Sequence, residues 1–166
     1  MVVGGGGVAV RKVGRLLQAG AEVVVISPEI RPELAAMDVE IHRRSYGYGD
    51  LEGACLAFTA TDSREVNAAA AKEARERGVP INVADRPSEG DFAVPSTLRR
   101  GQLQVAVSTG GASPTLARRI RSELEEAFGP DWAGIVQEFD TARRNGEVPH
   151  EALEEEVSRC LSRLRG

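Results

Sequence analysis

The chain has 166 residues, 28% of them charged and 42% hydrophobic, with a formal net charge of −4. These values describe one folded domain, or a small domain with an appendage, and exclude a disordered chain. No apolar run is long enough to span a bilayer, and no basic-then-apolar leader is present. The acidic balance argues against nucleic acid as a general partner. A cytoplasmic protein with no membrane or nucleic-acid partner is therefore expected. Cys55 and Cys160 lie far apart and have no CxxC partner, and His42 and His150 are isolated. Idle thiols and no metal site are the expectation.

The chain opens on Val2-Val3, an apolar run that enters four glycines, Gly4 to Gly7, and leaves them as a helix over Val10–Ala19 that stops at Gly20. Only Met1, Val2 and Val3 precede Gly4, so the first strand is read as short. Read as G-x-G-x-x-A, the cluster is a dinucleotide-binding fingerprint made of Gly4, Gly6 and Ala9. Gly4 permits the tight turn. Gly6 lets the backbone approach a pyrophosphate, and Ala9 is small enough for the helix to pack closely on the strand. The free N–H groups of the helix start then face the phosphates. A second strand, Glu22–Ser27, stops at Pro28 and completes a βαβ unit.

Val39–His42 reads as a short strand and Leu56–Ala60 as an apolar one. Ser63 begins a long helix with Asn67, Ala70, Ala71 and Ala74 on one face, closing at Gly78, and Val79–Val83 is the next strand. Short strands alternating with helices predict an α/β fold with a parallel doubly wound sheet, a Rossmann-type domain over residues 1–90. Beyond Asp91 the pattern changes. Phe92–Val94 and Leu98 flank Pro95-Ser96, and Gln102–Ser108 is a strand. Ser113-Pro114 reads as an N-cap followed by proline at the first helical position. That helix carries Leu116, Ile120, Leu124 and Phe128, and Gly129-Pro130 ends it. A further amphipathic helix carries Trp132, Ile135, Val136 and Phe139, and a last one, with Pro149 at its start, carries Leu153, Val157, Cys160, Leu161 and Leu164. Their apolar stripes need a partner surface.

Ligands of open parallel sheets bind beyond the carboxyl ends of the strands. Those ends supply the glycine turn, then Ser27-Pro28-Glu29, then Thr61-Asp62, then Ala84-Asp85. Ser27 stands where an acidic residue would hold the ribose hydroxyls, with Glu29 two residues on, so NAD and NADP both stay open, and Arg31 reads either as a partner for a 2′-phosphate or as an exposed loop residue. Thr61 ends a strand that passes near the cofactor, and Asp62 reads as the N-cap of the next helix. Asp85 reads either as a turn cap or as a carboxylate able to act as a base or to orient a protonated nitrogen. From Phe92 to Arg121 there is no Asp or Glu, while Arg99, Arg100, Arg118, Arg119 and Arg121 all fall there. Such a segment suits an anionic ligand needing planar donors, a solvated basic surface, or an interface pairing with the acidic tail.

Several blocks occur together and in order. They are Val2 to Ala9 with Arg11-Lys12, Phe58 to Asp62 through Asn67, Asn82 to Asp85, Phe92 to Ser96, and Val105 to Pro114 with Leu116-Ala117-Arg118. In these blocks the chain resembles the precorrin-2 dehydrogenases, the N-terminal domains of siroheme synthases. The resemblance implies oxidation of precorrin-2 to sirohydrochlorin with NAD, a Rossmann domain, a central dimerisation region over 91–128, a C-terminal helical domain over 129–166, and a homodimer. A fused methyltransferase is not expected on this chain. The resemblance makes Asp85 the essential aspartate and puts Gly7, Val8, Pro28 and Glu29 at positions that touch NAD. Thr109 then stands near the tetrapyrrole, and with Ser108, Arg99 and Arg118 it forms the substrate-binding set expected for a polycarboxylate. Two alternatives stay open. One is a dehydrogenase that also inserts Fe²⁺ into sirohydrochlorin, and the other is a non-catalytic NAD-responsive module whose helical tail binds a partner.

Overall fold

A computed structural model of the chain describes residues 1–146 and 150–162, with the side chains of 150–154 and 156 left aside. Pro149 and Leu164 lie outside the described residues. The chain forms two compact units, Met1–Val94 and Pro95 onward. The central and C-terminal regions expected over 91–128 and 129–166 lie in the second unit, except for residues 91–94, which belong to the first.

The first unit is a five-stranded parallel sheet in the order β3-β2-β1-β4-β5, built from β1 (Val2–Val3), β2 (Val24–Ile26), β3 (Glu40–His42), β4 (Ala57–Thr59) and β5 (Ile81–Val83). The short β1 is central. Val2 and Val3 pair with Val25 and Ile26 on one side and with Phe58 and Thr59 on the other, and both side chains are buried. Period-2 alternation then divides the core. Val2, Val25 and Phe58 pack with Ala9 and Val13 of α1 (Gly7–Gln18), while Ala57, Ile81 and Val83 pack with Ala70, Ala71 and Ala74 of α3 (Arg64–Arg77). On the α1 side, Lys12 donates to Asn82 Oδ1 and sits 5.0 Å from the Phe58 ring centroid. Burial first, then Arg15 and Arg11, hold its pKa below the usual lysine value.

Two boundaries differ from the sequence reading. Helix α1 begins at Gly7 rather than Val10, because Gly6 takes the extended N-cap conformation (φ −83°, ψ −173°) and Val10 N–H already donates to Gly6 O. Ser63, not Asp62, caps α3, since its Oγ accepts from Val66 N–H. A single helical turn, α2 (Pro32–Ala35), comes after β2 with proline in its first turn.

The second unit pairs β6 (Ser96–Arg100) and β7 (Leu103–Val107) as an antiparallel hairpin. The β6 strand has no counterpart in the sequence pattern, because Pro95-Ser96 and two adjacent arginines hide its alternation. Gly101 (φ +57°) turns the hairpin, and a glycine with positive φ at the first central position is what a two-residue type II′ turn takes. Helix α4 (Pro114–Ala127), capped by Ser113 Oγ, packs on both strands, and α5 (Trp132–Asn145) and α6 (His150–Ser162) come next. No described helix is long and apolar enough to cross a membrane.

The loop between β3 and β4 is held by one buried carboxylate. Glu73 of α3 has no exposed surface and accepts from Tyr46 OH, Gly49 N–H (3.0 Å), Leu51 N–H (3.2 Å) and Arg77 Nε (2.6 Å). Burial pushes its carboxyl upward, but these four donors outweigh it and hold the group below the ordinary glutamate value of 4.5. Burial first, and then the bond to Glu73, push the Tyr46 phenol well up. Because the folded value is depressed, this stabilisation is complete above about pH 4.5 and fades as pH falls through the lowered value. Glu73→Ala strands four donors and is expected to cost about 3 kcal/mol in urea unfolding at pH 7, with the difference from the parent shrinking below pH 4.

Candidate functional site

Along the sheet the chain turns back between β1 and β4, the topological switch point where open α/β sheets bind ligands. A cleft of about 480 Å³ opens there. Its wall is made by the end of β1 (Gly4, Gly5, Gly6), the end of β2 (Ser27 to Arg31), the loop after β3 (Ser45, Tyr46) and the end of β4 (Thr61 to Ser63).

The glycines divide the work among themselves. Gly4 adopts φ +123°, and a Cβ there would run into the Ala60 carbonyl at the end of β4. Gly5 accepts from Arg31 N–H (3.1 Å), and its Cβ would strike the Glu29 carbonyl. Gly5 is thus the contact that seals the β2 end to the β1 turn, a role the three-position fingerprint does not mark. At Gly6 a Cβ would meet nothing within 4 Å, so this is the backbone face left open to a ligand. Among the described residues no side chain caps α1, and no acidic residue occupies its first turn, which leaves the helix N-terminus available to an anion. Two guanidinium groups flank it. Arg11 Nη1 donates to Gly7 O (3.1 Å), and Arg31 Nη1 lies 3.2 Å from where a Gly7 Cβ would stand, while Glu33 holds the other edge of Arg31.

Of the sequence-based cofactor residues, Gly4, Gly6, Ser27, Pro28, Glu29 and Thr61 line the cleft. Gly7, Val8 and Ala9 form the first turn of α1, where Val8 is exposed and Ala9 is buried against the sheet. Ser27 is buried and Glu29 exposed. Ser45 and Tyr46 carry no motif that singles them out in the sequence, since their place depends on a loop folded by Glu73.

Asp85 lies just beyond the end of β5 and does not line the cleft, but it is linked to it. Asn67 Nδ2 donates to Asp85 Oδ1 (2.9 Å) and to Thr61 O (3.0 Å), while Thr61 N–H donates to Asn67 Oδ1 (3.4 Å). Arg64 Nη1 stands 3.7 Å from Asp85 Oδ2, and its Nη2 is paired with Glu89. The Asp85 side chain keeps 34% of its surface exposed, so the carboxylate is held and still reachable.

The second unit contains the remaining predicted residues. Thr109 Oγ1 accepts from Ser113 N–H (3.0 Å), and Ser108 Oγ accepts from Gly110 N–H (3.2 Å). The acid-free arginine segment is less free than its sequence suggests. Arg119 and Arg121 reach one helical turn ahead to Glu123 and Glu125, and Arg100 caps α4 by donating to Phe128 O (2.8 Å) and Glu125 O (3.4 Å). Arg99 and Arg118 are exposed, and Arg118 donates to Thr115 Oγ1 (3.3 Å) of its own helix. Among the described residues no three His, Cys, Asp or Glu side chains are grouped to hold a metal ion.

Residues 1–96 match the NAD_binding_7 family, described as "Putative NAD(P)-binding", and residues 100–127 match the "Sirohaem biosynthesis protein central" family. The chain belongs to the first of these, a family of putative NAD(P)-binding domains. It is 46% identical over 129 residues to a siroheme synthase of Methylobacillus flagellatus, covering 75% of this chain and 28% of that one. It is 42% identical over 164 residues to a siroheme synthase of Nitrosomonas europaea, covering 96% and 34%. The chain thus spans about a third of the length of these relatives. Among solved structures it is similar to SirC, a precorrin-2 dehydrogenase, with a TM-score of 0.77 and 26% identity over 97% of this chain and 81% of that one. The cleft fits the family's dinucleotide: its open backbone lies at Gly6, and its uncapped helix end is flanked by arginines.

The two middle glycines of the four, Gly5 and Gly6, separate folding from binding. Gly6→Ala is expected to unfold within about 1 kcal/mol of the parent, as an alanine-for-glycine exchange at an N-cap does, yet to weaken NAD binding at least tenfold by calorimetry. Gly5→Ala is expected to lower the melting temperature as well, because its methyl group meets backbone rather than a side chain that can move.

Proposed function

We propose that the chain oxidises precorrin-2 to sirohydrochlorin, with NAD as the hydride acceptor. The observation that carries this reading is the pairing of a dinucleotide cleft at the β1/β4 switch point with a tethered, accessible carboxylate at the neighbouring strand end. The family match and the likeness to SirC support it.

In this reading Gly4, Gly5 and Gly6 bring the backbone against the pyrophosphate, and the N–H groups of Gly7, Val8 and Ala9 face its charge. Ser27, Pro28 and Glu29 take the adenosine ribose, and Thr61 borders the cofactor on the β4 side. NAD, when bound, supplies the site that receives hydride. Dehydrogenation also releases a proton, and Asp85 is the group proposed to take it or to orient the pyrrolic nitrogen that loses it. In the second unit, the exposed Arg99 and Arg118, with Ser108 and Thr109 at the end of β7, are proposed to recognise the carboxylate side chains of the substrate. The exposed Leu116 and Ile120 of α4 are proposed as the self-association surface of a homodimer.

The test is anaerobic incubation with precorrin-2 and NAD, following the visible spectrum and NADH together. Stoichiometric sirohydrochlorin and NADH are expected. Asp85→Ala is expected to lose about 10²-fold or more in turnover while its NAD affinity stays near the parent value. NAD binding without turnover of precorrin-2 would favour the non-catalytic module, and full turnover by Asp85→Ala would remove the role given to that carboxylate.

A further inference from the structure

We propose that Asn67 is a positioning residue, which fixes the Asp85 carboxylate relative to the cofactor cleft. This rests on the reading of Asp85 given above.

Asn67 sits in the first turn and a half of α3 and is 1% exposed. Asparagine is a weak helix former and a costly one to bury unless its amide is fully used. Here all of it is used. The Oδ1 atom accepts from Thr61 N–H and lies 2.8 Å from Thr61 Oγ1, and Nδ2 divides its two hydrogens between Thr61 O and Asp85 Oδ1. The network admits one orientation of the amide only. Turned over, Nδ2 would face the Thr61 N–H donor, and Oδ1 would face both the Thr61 carbonyl and the Asp85 carboxylate.

One side chain therefore joins the ends of two adjacent strands, β4 through Thr61 and β5 through Asp85. Thr61 lines the cofactor cleft and Asp85 does not, so Asn67 sets the register between them. A purely structural role would be met by the bonds to Thr61. The bond to Asp85 adds nothing to the β4 turn, but it fixes one carboxylate oxygen while Arg64, paired with Glu89, stands near the other. Both contacts enter from α3, and the Asp85 side chain keeps 34% of its surface exposed. Displacing a reacting group by about 1 Å can cost about 10²-fold in rate, so a carboxylate free to rotate is a poor substitute for one held in place.

The experiment measures kcat, the KM for precorrin-2, NAD affinity and melting temperature in the full chain carrying Asn67→Ala, alone and with Asp85→Asn. Arg64→Met serves as a second variant that leaves Thr61 untouched. Asn67→Ala is expected to lower kcat about 10- to 100-fold and to change NAD affinity less than threefold. In the Asp85→Asn background it is expected to change any residual turnover less than twofold. Arg64→Met is expected to lower kcat by a smaller factor in the same direction. The proposal is overturned if Asn67→Ala keeps kcat within twofold of the parent, or if its loss appears in NAD affinity instead of kcat. It is equally overturned if the loss is the same factor in both backgrounds, since that would be a structural effect. Absent turnover by the parent chain, or full turnover by Asp85→Ala, would instead overturn the functional reading on which the proposal stands.

Discussion

The structure of the first unit depends on how closely the β1 turn approaches the end of β4. The central strand has only two residues, so the sheet gains little from it beyond the ladders on either side of Val2 and Val3. The glycine turn beyond them sets the geometry. Gly4 turns the chain at φ +123° against the Ala60 carbonyl, and Gly5 packs against the Glu29 carbonyl where a Cβ would not fit. Both contacts exclude a side chain, and both bring peptide groups from neighbouring strand ends together without intervening atoms. The helix that leaves the turn is thereby aimed with its N-terminus into the crevice. Its first N–H groups have no internal acceptors and, among the described residues, no capping side chain, so the fold presents them to whatever anion enters.

The backbone-driven features are legible in the sequence. Val2-Val3 and the four glycines after them identify a strand, a tight turn and a helix start, because a Cβ at Gly4 or Gly5 would run into a backbone carbonyl of a neighbouring strand end. Polar features that depend on long-range contacts are not legible. Glu73 carries no motif that singles it out in the sequence, and only the fold shows that it accepts four donors and is fully buried. Tyr46 enters the cleft as a consequence. The arginine segment leaves more than one reading open in the sequence, and for Arg119 and Arg121 the structure favours pairing with the acidic residues beyond it. It is acid-free up to Arg121, but helical periodicity lets Arg119 and Arg121 reach glutamates beyond the boundary, and carbonyls at the end of α4 take Arg100. A linear count of charges is blind to an i,i+4 partner placed just outside the window. Strand β6 escapes a sequence reading for a related reason: its pairing comes from the Gly101 turn and the β7 register, not from its own composition.

Helix α3 connects these observations. Its alanines, Ala70, Ala71 and Ala74, are small enough to bring the helix axis close to the sheet, and that closeness lets short polar side chains reach the loops at the sheet's mouth. Glu73 reaches the loop after β3, and Asn67 reaches the ends of β4 and β5. Larger residues in the alanine positions would move the helix outward and lengthen every one of these bonds, and a bond of 2.9–3.0 Å has little tolerance for that. The apolar packing is therefore what makes the polar positioning possible. The cleft residues Thr61 and Tyr46 and the carboxylate of Asp85 are set by one helix rather than by three independent loops. A site whose parts share one rigid support keeps its internal distances when the support moves, which a carboxylate needs if it is to stay in register with a ligand bound at the neighbouring strand end.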